Sequence, residues 1–154
     1  MDLKPLAKLL ERYDRPALER FHEEEKLLSW IDYRDDEEAI VSYATAWLLP
    51  GDRRRLENLP QPRKLDDSGD AVLNAIATRL APDYVLSLWL PSLGSDTLAF
   101  LLLPAADWHS LTQRFSPEKI AGLLQPLTGH TAAFGLDFDA VEAQLIALNA
   151  RFPE

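Results

Sequence analysis

Histidines, a run of carboxylates and one Ser-Asp pair are the side chains in this sequence with the chemistry to move protons, hold a metal or act as a nucleophile. His22, His109 and His130 stand far apart, and none lies in an HExxH or HxH context, so metal-ligand spacing is lacking and no cofactor is expected. His109 follows Trp108 directly, which on a helix turns it about 100 degrees away, toward the rim of the core. There is no cysteine, and with it go thiolate zinc sites, thiol nucleophiles and disulfides. No serine sits in a GxSxG elbow, and the six glycines build neither a phosphate loop nor a dinucleotide fingerprint. Gly94-Ser95-Asp96 puts a hydroxyl beside an acid, yet small polar residues of this kind are what a hairpin loop requires. At such a loop tip, Ser95 and Asp96 are candidates for a contact surface.

The most unusual local feature is an acidic belt. Between Glu19 and Glu38, nine carboxylates (Glu19, Glu23, Glu24, Glu25, Asp32, Asp35, Asp36, Glu37 and Glu38) face only Arg20, Lys26 and Arg34. Acids at a helix start complement the helix dipole, which explains part of the run. Trp30 and Tyr33 lie within it, and aromatics among like charges are the composition of a protein interface, where rings anchor and charge steers the encounter. Trp30, Asp32, Tyr33, Asp35, Asp36, Glu37 and Glu38 are therefore the candidate partner-binding residues, together with Ser95 and Asp96. A calcium loop or a paired-carboxylate glycosidase fits poorly, because the acids are adjacent or in one local run, without alternating ligands and a central glycine. The basic run Arg53, Arg54, Arg55, with Arg63 and Lys64, is expected to pair with the protein's own carboxylates.

The elements that must position these residues follow from apolar spacing. Leu3, Leu6, Leu10 and Tyr13 recur at helical intervals, and Asp14 before Arg15-Pro16 caps a second short helix. Leu27 to Tyr33 has the length of a strand. Ile40, Val41, Ala44, Trp47 and Leu48, behind an acidic start, form a helix stripe that ends at Leu49-Pro50-Gly51. Residues 51 to 69 read as a long exposed connection. Asp70 is expected to cap a helix through Val72, Leu73, Ile76 and Leu80. Residues 84–90 and 97–103 are nearly continuous apolar runs on either side of a turn-forming segment, the pattern of an antiparallel hairpin at the centre of a sheet. Pro104 opens a helix carrying Trp108, Leu111 and Phe115, and Ser116-Pro117-Glu118 starts another through Ile120, Leu123 and Leu124. Thr131 to Leu136 suits a further strand. Asp137 caps a last helix with Phe138, Val141, Leu145, Leu148 and Phe152 on one buried face. The expected architecture is one α+β domain over residues 1–154, with several helices covering a small antiparallel sheet.

Length and charge bound the function. A chain of 154 residues holds one core, and 47% hydrophobic with 27% charged residues is ordinary globular usage. The net charge of -9 opposes binding to nucleic acid or anionic membranes. The opening MDLKPLAKLLERYD carries charges too closely spaced for a signal peptide or a membrane span, which points to the cytoplasm.

Two segments together are similar to a known family: Trp30 to Ile40 (WIDYRDDEEAI), and Leu93 to Thr97 (LGSDT) followed by Leu101 to Ala105 (LLLPA). They resemble a bacterial family described only as a domain of unknown function, number 6630, with an "IDWK-acidic-EEI" segment and a "GSDSY" hairpin loop leading to an apolar strand and "VPA". Tyr33 and Arg34 replace the family's Trp and Lys, and Thr97-Leu98 replace serine and an aromatic. The resemblance spans residues 27 to 115, implies a small cytoplasmic α+β protein, and singles out Asp32 and the Gly94-Ser95-Asp96 loop. It supplies no reaction. The expected function is non-catalytic binding of a basic protein through the acidic face, in the manner of an immunity or inhibitor protein. The alternatives are a hydrolase or transferase assembled from Asp32, Asp96 and a histidine, or a regulatory adaptor displaying Trp47, Trp89 or Trp108.

Overall fold

Helices α1 (Lys4–Arg12) and α2 (Arg15–Glu24) open the chain in a computed structural model that describes residues 2–60 and 68–154. The two meet at Tyr13, whose left-handed backbone (φ 49°) ends α1, and at Asp14, whose carboxylate accepts from the Ala17 amide at 2.9 Å. The same device recurs at Asp36 before α3 (Glu37–Ala46) and at Asp137 before α7 (Phe138–Arg151). Each such cap satisfies an amide that has no partner inside the helix and is worth about 1 kcal/mol.

Four strands form the centre: β1 (Ser29–Asp32), β2 (Tyr84–Trp89), β3 (Thr97–Pro104) and β4 (Leu124–Pro126). Their order is β1-β3-β2-β4, and every pairing is antiparallel. The apolar runs of β2 and β3 occupy the two central places, which is why they read as continuous rather than alternating. The run Leu27 to Tyr33 does supply a strand, four residues long. The turn of 3-10 helix at Leu90–Ser92 joins β2 to β3, and the buried Ser92 hydroxyl links the two strands by donating to Trp89 O at 2.6 Å and accepting from Ala99 N at 2.9 Å.

Both faces of the sheet are covered. On one, Phe21 of α2 packs on Trp89 with ring centroids 5.0 Å apart. On the other, Phe100 meets Phe134 at 6.3 Å, and the Tyr84 hydroxyl donates to Asp52 at 2.7 Å while accepting from Leu49 N. Burial and the Asp52 carboxylate both raise the Tyr84 pKa. Helix α4 (Ser68–Leu80) packs against β2 and α3, and residues 71–77 are buried on every side. Helices α5 (Ala105–Arg114) and α6 (Pro117–Ala121) follow β3.

Several expectations are corrected. Asp70 is not the cap of α4: the helix starts at Ser68, and Asp70 lies in its first turn, 2% exposed. Thr131 to Leu136 forms no strand, because the amides of Ala133, Phe134 and Gly135 are taken by the Asp70 carboxylate at 2.8–3.1 Å. Leu123 and Leu124 do not continue α6. They turn onto the open side of β2, where Leu90 N donates to Leu123 O and Leu127 N to Leu86 O, each at 2.8 Å. Phe138 is 79% exposed, so the buried face of α7 begins only further along, with Val141 and Leu145 packed partly buried on the core, Leu148 buried, and Phe152 fully buried just past the helix end. In the stretch expected as an exposed connection, Leu56 is 3% exposed. Arg55 pairs with Asp83 at 2.9 Å, and Arg79 donates to the Arg55 and Glu57 carbonyls. That exchange fastens residues 55–57 to the end of α4. Arg63, Lys64 and the rest of residues 61–67 lie outside the described residues.

Candidate partner-binding surface

The register of β1 against β3 brings the two singled-out segments together. Asp32 is opposite Thr97, the Thr97 hydroxyl lies 3.4 Å from Asp32 Oδ2, and Tyr33 N donates to Asp96 O at 2.9 Å. In the loop before Thr97, Gly94 has φ 94°, a left-handed backbone that favours glycine, and a Cβ there would lie 3.1 Å from the Leu145 side chain of α7, which would have to give by a few tenths of an ångström. The Ser95 hydroxyl closes the loop by donating to Thr97 O and accepting from Thr97 N. A groove of about 300 Å³ lies beneath, lined by Tyr33, Asp96, Phe134 and Val141 among others, with no histidine among its lining residues.

Asp32 is committed locally. Arg34 grips it with Nε on Oδ1 at 2.9 Å and a second nitrogen on Oδ2 at 3.2 Å, and the Arg34 amide adds a third bond. These bonds hold the Asp32 carboxyl down to about 2, and the carboxylate in turn raises the Arg34 pKa. An acid with that value stays ionised near neutral pH and is poorly matched to proton transfer there.

The belt divides into carboxylates the fold uses and carboxylates it leaves free. Asp35 accepts from Asp32 N at 2.9 Å and returns its own amide to Asp32 O. Glu25 accepts from Leu28 N at 3.0 Å and from the Trp30 indole at 3.1 Å. Asp36 caps α3. By the alternation of an antiparallel ladder, the amides of Leu28, Trp30 and Asp32 point away from β3. Glu25 and Asp35 thus close the outer border of β1 on either side of Trp30, a way of protecting an edge strand. On the opposite border of the sheet, the outward positions of β4 are Leu124 and Pro126, and the proline has no amide to offer. Glu37 and Glu38 make no ion pair among the described residues. With Asp36 they rim an open depression of about 530 Å³ whose apolar part includes Val41 and Leu59. Trp30 and Tyr33 are 45% and 56% exposed, and the Arg34 guanidinium sits 5.4 Å from the Tyr33 ring centroid.

The histidines are apart from this surface in their bonding. His22 accepts at Nε2 from the indole of the fully buried Trp89 at 2.9 Å, while His109 and His130 are exposed. Trp47 and Trp108 are half-buried. Among the described residues, no three His, Asp or Glu side chains gather as a metal ion would require. Nor is any helix long and apolar enough to cross a membrane.

A polar cluster that the sequence reading missed lies behind the loop at residues 128–135. Besides the three amides on Asp70, Asn74 donates to the Asp70 and Thr131 carbonyls at 2.8 and 2.7 Å and accepts from Thr131 N at 2.9 Å. Asn74 is fully buried. Its signal was an asparagine four residues after an aspartate in an otherwise apolar helix, since a polar side chain on a buried face must find partners.

The chain is thus an α+β protein in which helices cover both faces of a four-stranded antiparallel sheet. Comparison with family models, with curated proteins and with solved structures gives no match.

Proposed function

We propose that this is a non-catalytic binding protein that docks a basic protein on its acidic side, acting in the cytoplasm in the manner of an immunity or inhibitor protein. The observation that carries the reading is the pair Glu37 and Glu38, without an ion pair among the described residues and beside an apolar depression at the start of α3. Exposed Trp30 and Tyr33 supply the ring surface that such contacts use as anchors. Glu25 and Asp35 on the outward amides of Leu28 and Asp32, and Pro126 on β4, guard the sheet borders, which favours a partner that engages side chains over one that adds a strand. Membership in the domain-of-unknown-function family 6630 is part of the proposal and rests on the likeness of the two sequence segments, which lie side by side in the sheet.

The test is capture of partners from the native host by the tagged protein at low and moderate salt, beside a Glu37→Lys, Glu38→Lys variant. Asp35 and Asp36 are the wrong positions for charge reversal, since they close β1 and cap α3. One basic protein, retained at low salt and lost both at moderate salt and in the variant, supports the reading. A specific partner held equally by the variant removes the acidic side from the mechanism.

A further inference from the structure

A groove of about 590 Å³ lies away from the start of α3, where the ends of α2 and α3 meet the starts of α1 and α5. Its apolar part is formed by Leu27, Trp47, Leu49 and Pro104, and its polar part by Glu24, Asp107, Asp2 and Lys26. Leu49 is 56% exposed, a large apolar side chain held in water at the mouth of a concavity. The Trp47 indole N–H has no hydrogen-bond partner among the described residues. Asp2 is used by the fold, accepting from Lys4 N at 3.0 Å, and Asp107 suits the first turn of α5.

Glu24 is different. It is the last residue of α2, the end of a helix where carbonyl dipoles concentrate negative charge and a carboxylate is disfavoured. No ion pair among the described residues compensates it. The carboxylates outnumber the single ammonium of Lys26 in this groove, so its field selects a cation.

We propose that this groove binds a short peptide segment in which an apolar side chain stands beside an Arg or Lys. The apolar side chain enters between Trp47, Leu49 and Pro104, and the cation reaches Glu24 and Asp107. The inference shares with the proposed function the expectation of a basic protein partner, but it concerns a separate surface and is tested without that partner.

The probe is acetyl-Arg-Leu-Arg-amide, titrated into the ¹⁵N-labelled full chain, with acetyl-Glu-Leu-Glu-amide as the control. Saturable shifts of the Trp47 indole and the Leu49 amide with the cationic peptide alone are expected. A Glu24→Gln, Leu49→Ser variant, with its spectrum otherwise preserved, should weaken the peptide by about tenfold, as loss of an anchor and its paired charge does. Equal shifts with both peptides, no saturable shift, or affinity unchanged in the variant would each overturn the proposal. Shifts confined to Glu37 and Glu38 would overturn it too, while leaving the α3 surface standing. Conversely, loss of α3-dependent capture leaves the peptide titration intact, so the two readings fail separately.

Discussion

The indole of Trp89 donates its N–H to Nε2 of His22, which fixes that ring nitrogen as an acceptor and the imidazole as neutral. Trp89 is fully buried, so a protonated His22 would leave its N–H with no acceptor at this contact. Burial lowers the His22 pKa and Glu25 opposes the shift. Between the ordinary value of about 6.5 and the lower folded one, the unfolded chain binds a proton that the folded chain does not.

Stability is therefore full above pH of about 6.5 and falls as the pH drops through the folded value. Urea midpoints measured from pH 8 to 5 should show this loss, and His22→Gln should flatten it by removing the titrating group. An identical pH slope in the variant would exclude His22 as its source.

Asp70→Ala strands the amides of Ala133, Phe134 and Gly135. Only the Ala133 amide belongs to a buried residue, Phe134 being half-buried and Gly135 exposed, so with a buried orphan donor costing about 1–3 kcal/mol a loss of stability of that order is expected. Hydrogen exchange at those three amides should accelerate at the same time. A cost under about 1 kcal/mol would mean that the loop finds other acceptors.

Phe138 opens α7 and Phe152 follows its last residue, and the two should respond in opposite ways. Phe152 is fully buried, with its ring centroid 4.7 Å from that of Tyr13, so Phe152→Ala should cost about 3–5 kcal/mol. Phe138→Ala should stay within about 0.5 kcal/mol, as surface changes do. Chemical denaturation of the two variants decides the matter, and comparable losses would contradict the exposure of Phe138.

Arg34→Ala should raise the Asp32 pKa from about 2 toward its ordinary 3.8, since Arg34 supplies the largest of the bonds that lower it. A ¹³C titration of the Asp32 carboxyl reads this directly. The stability linked to Asp32 is present above the ordinary value and is lost as pH falls toward 2, so the variant should lose that segment of its acid profile. A carboxyl still titrating near 2 would place the cause elsewhere.

Caps and central strands were legible in the sequence because their causes are local. Asp14, Ser116 and Asp137 each stand where a helix begins, and the runs of β2 and β3 announce strands buried on both sides. The misreadings share a different cause, which is a partner far along the chain. Leu123-Leu124 suits a helix until the open side of β2 is there to receive it. Residues 131–136 suit a strand until Asp70 takes their amides from more than sixty positions away. Of the candidate surface, the charge and the aromatics were visible, but the division of its acids was not. Asp35 and Asp36 are neighbours of the same type, and only the outward amide of Asp32 and the helix start at Glu37 assign them their separate tasks.

The guarded sheet borders also bear on what happens when many copies are crowded together. Fibril growth requires an incoming chain to template its backbone on a border already in place. With Glu25 and Asp35 seated on two outward amides of one border and Pro126 withholding an amide on the other, a folded copy is a poorer seed than one with bare edge strands.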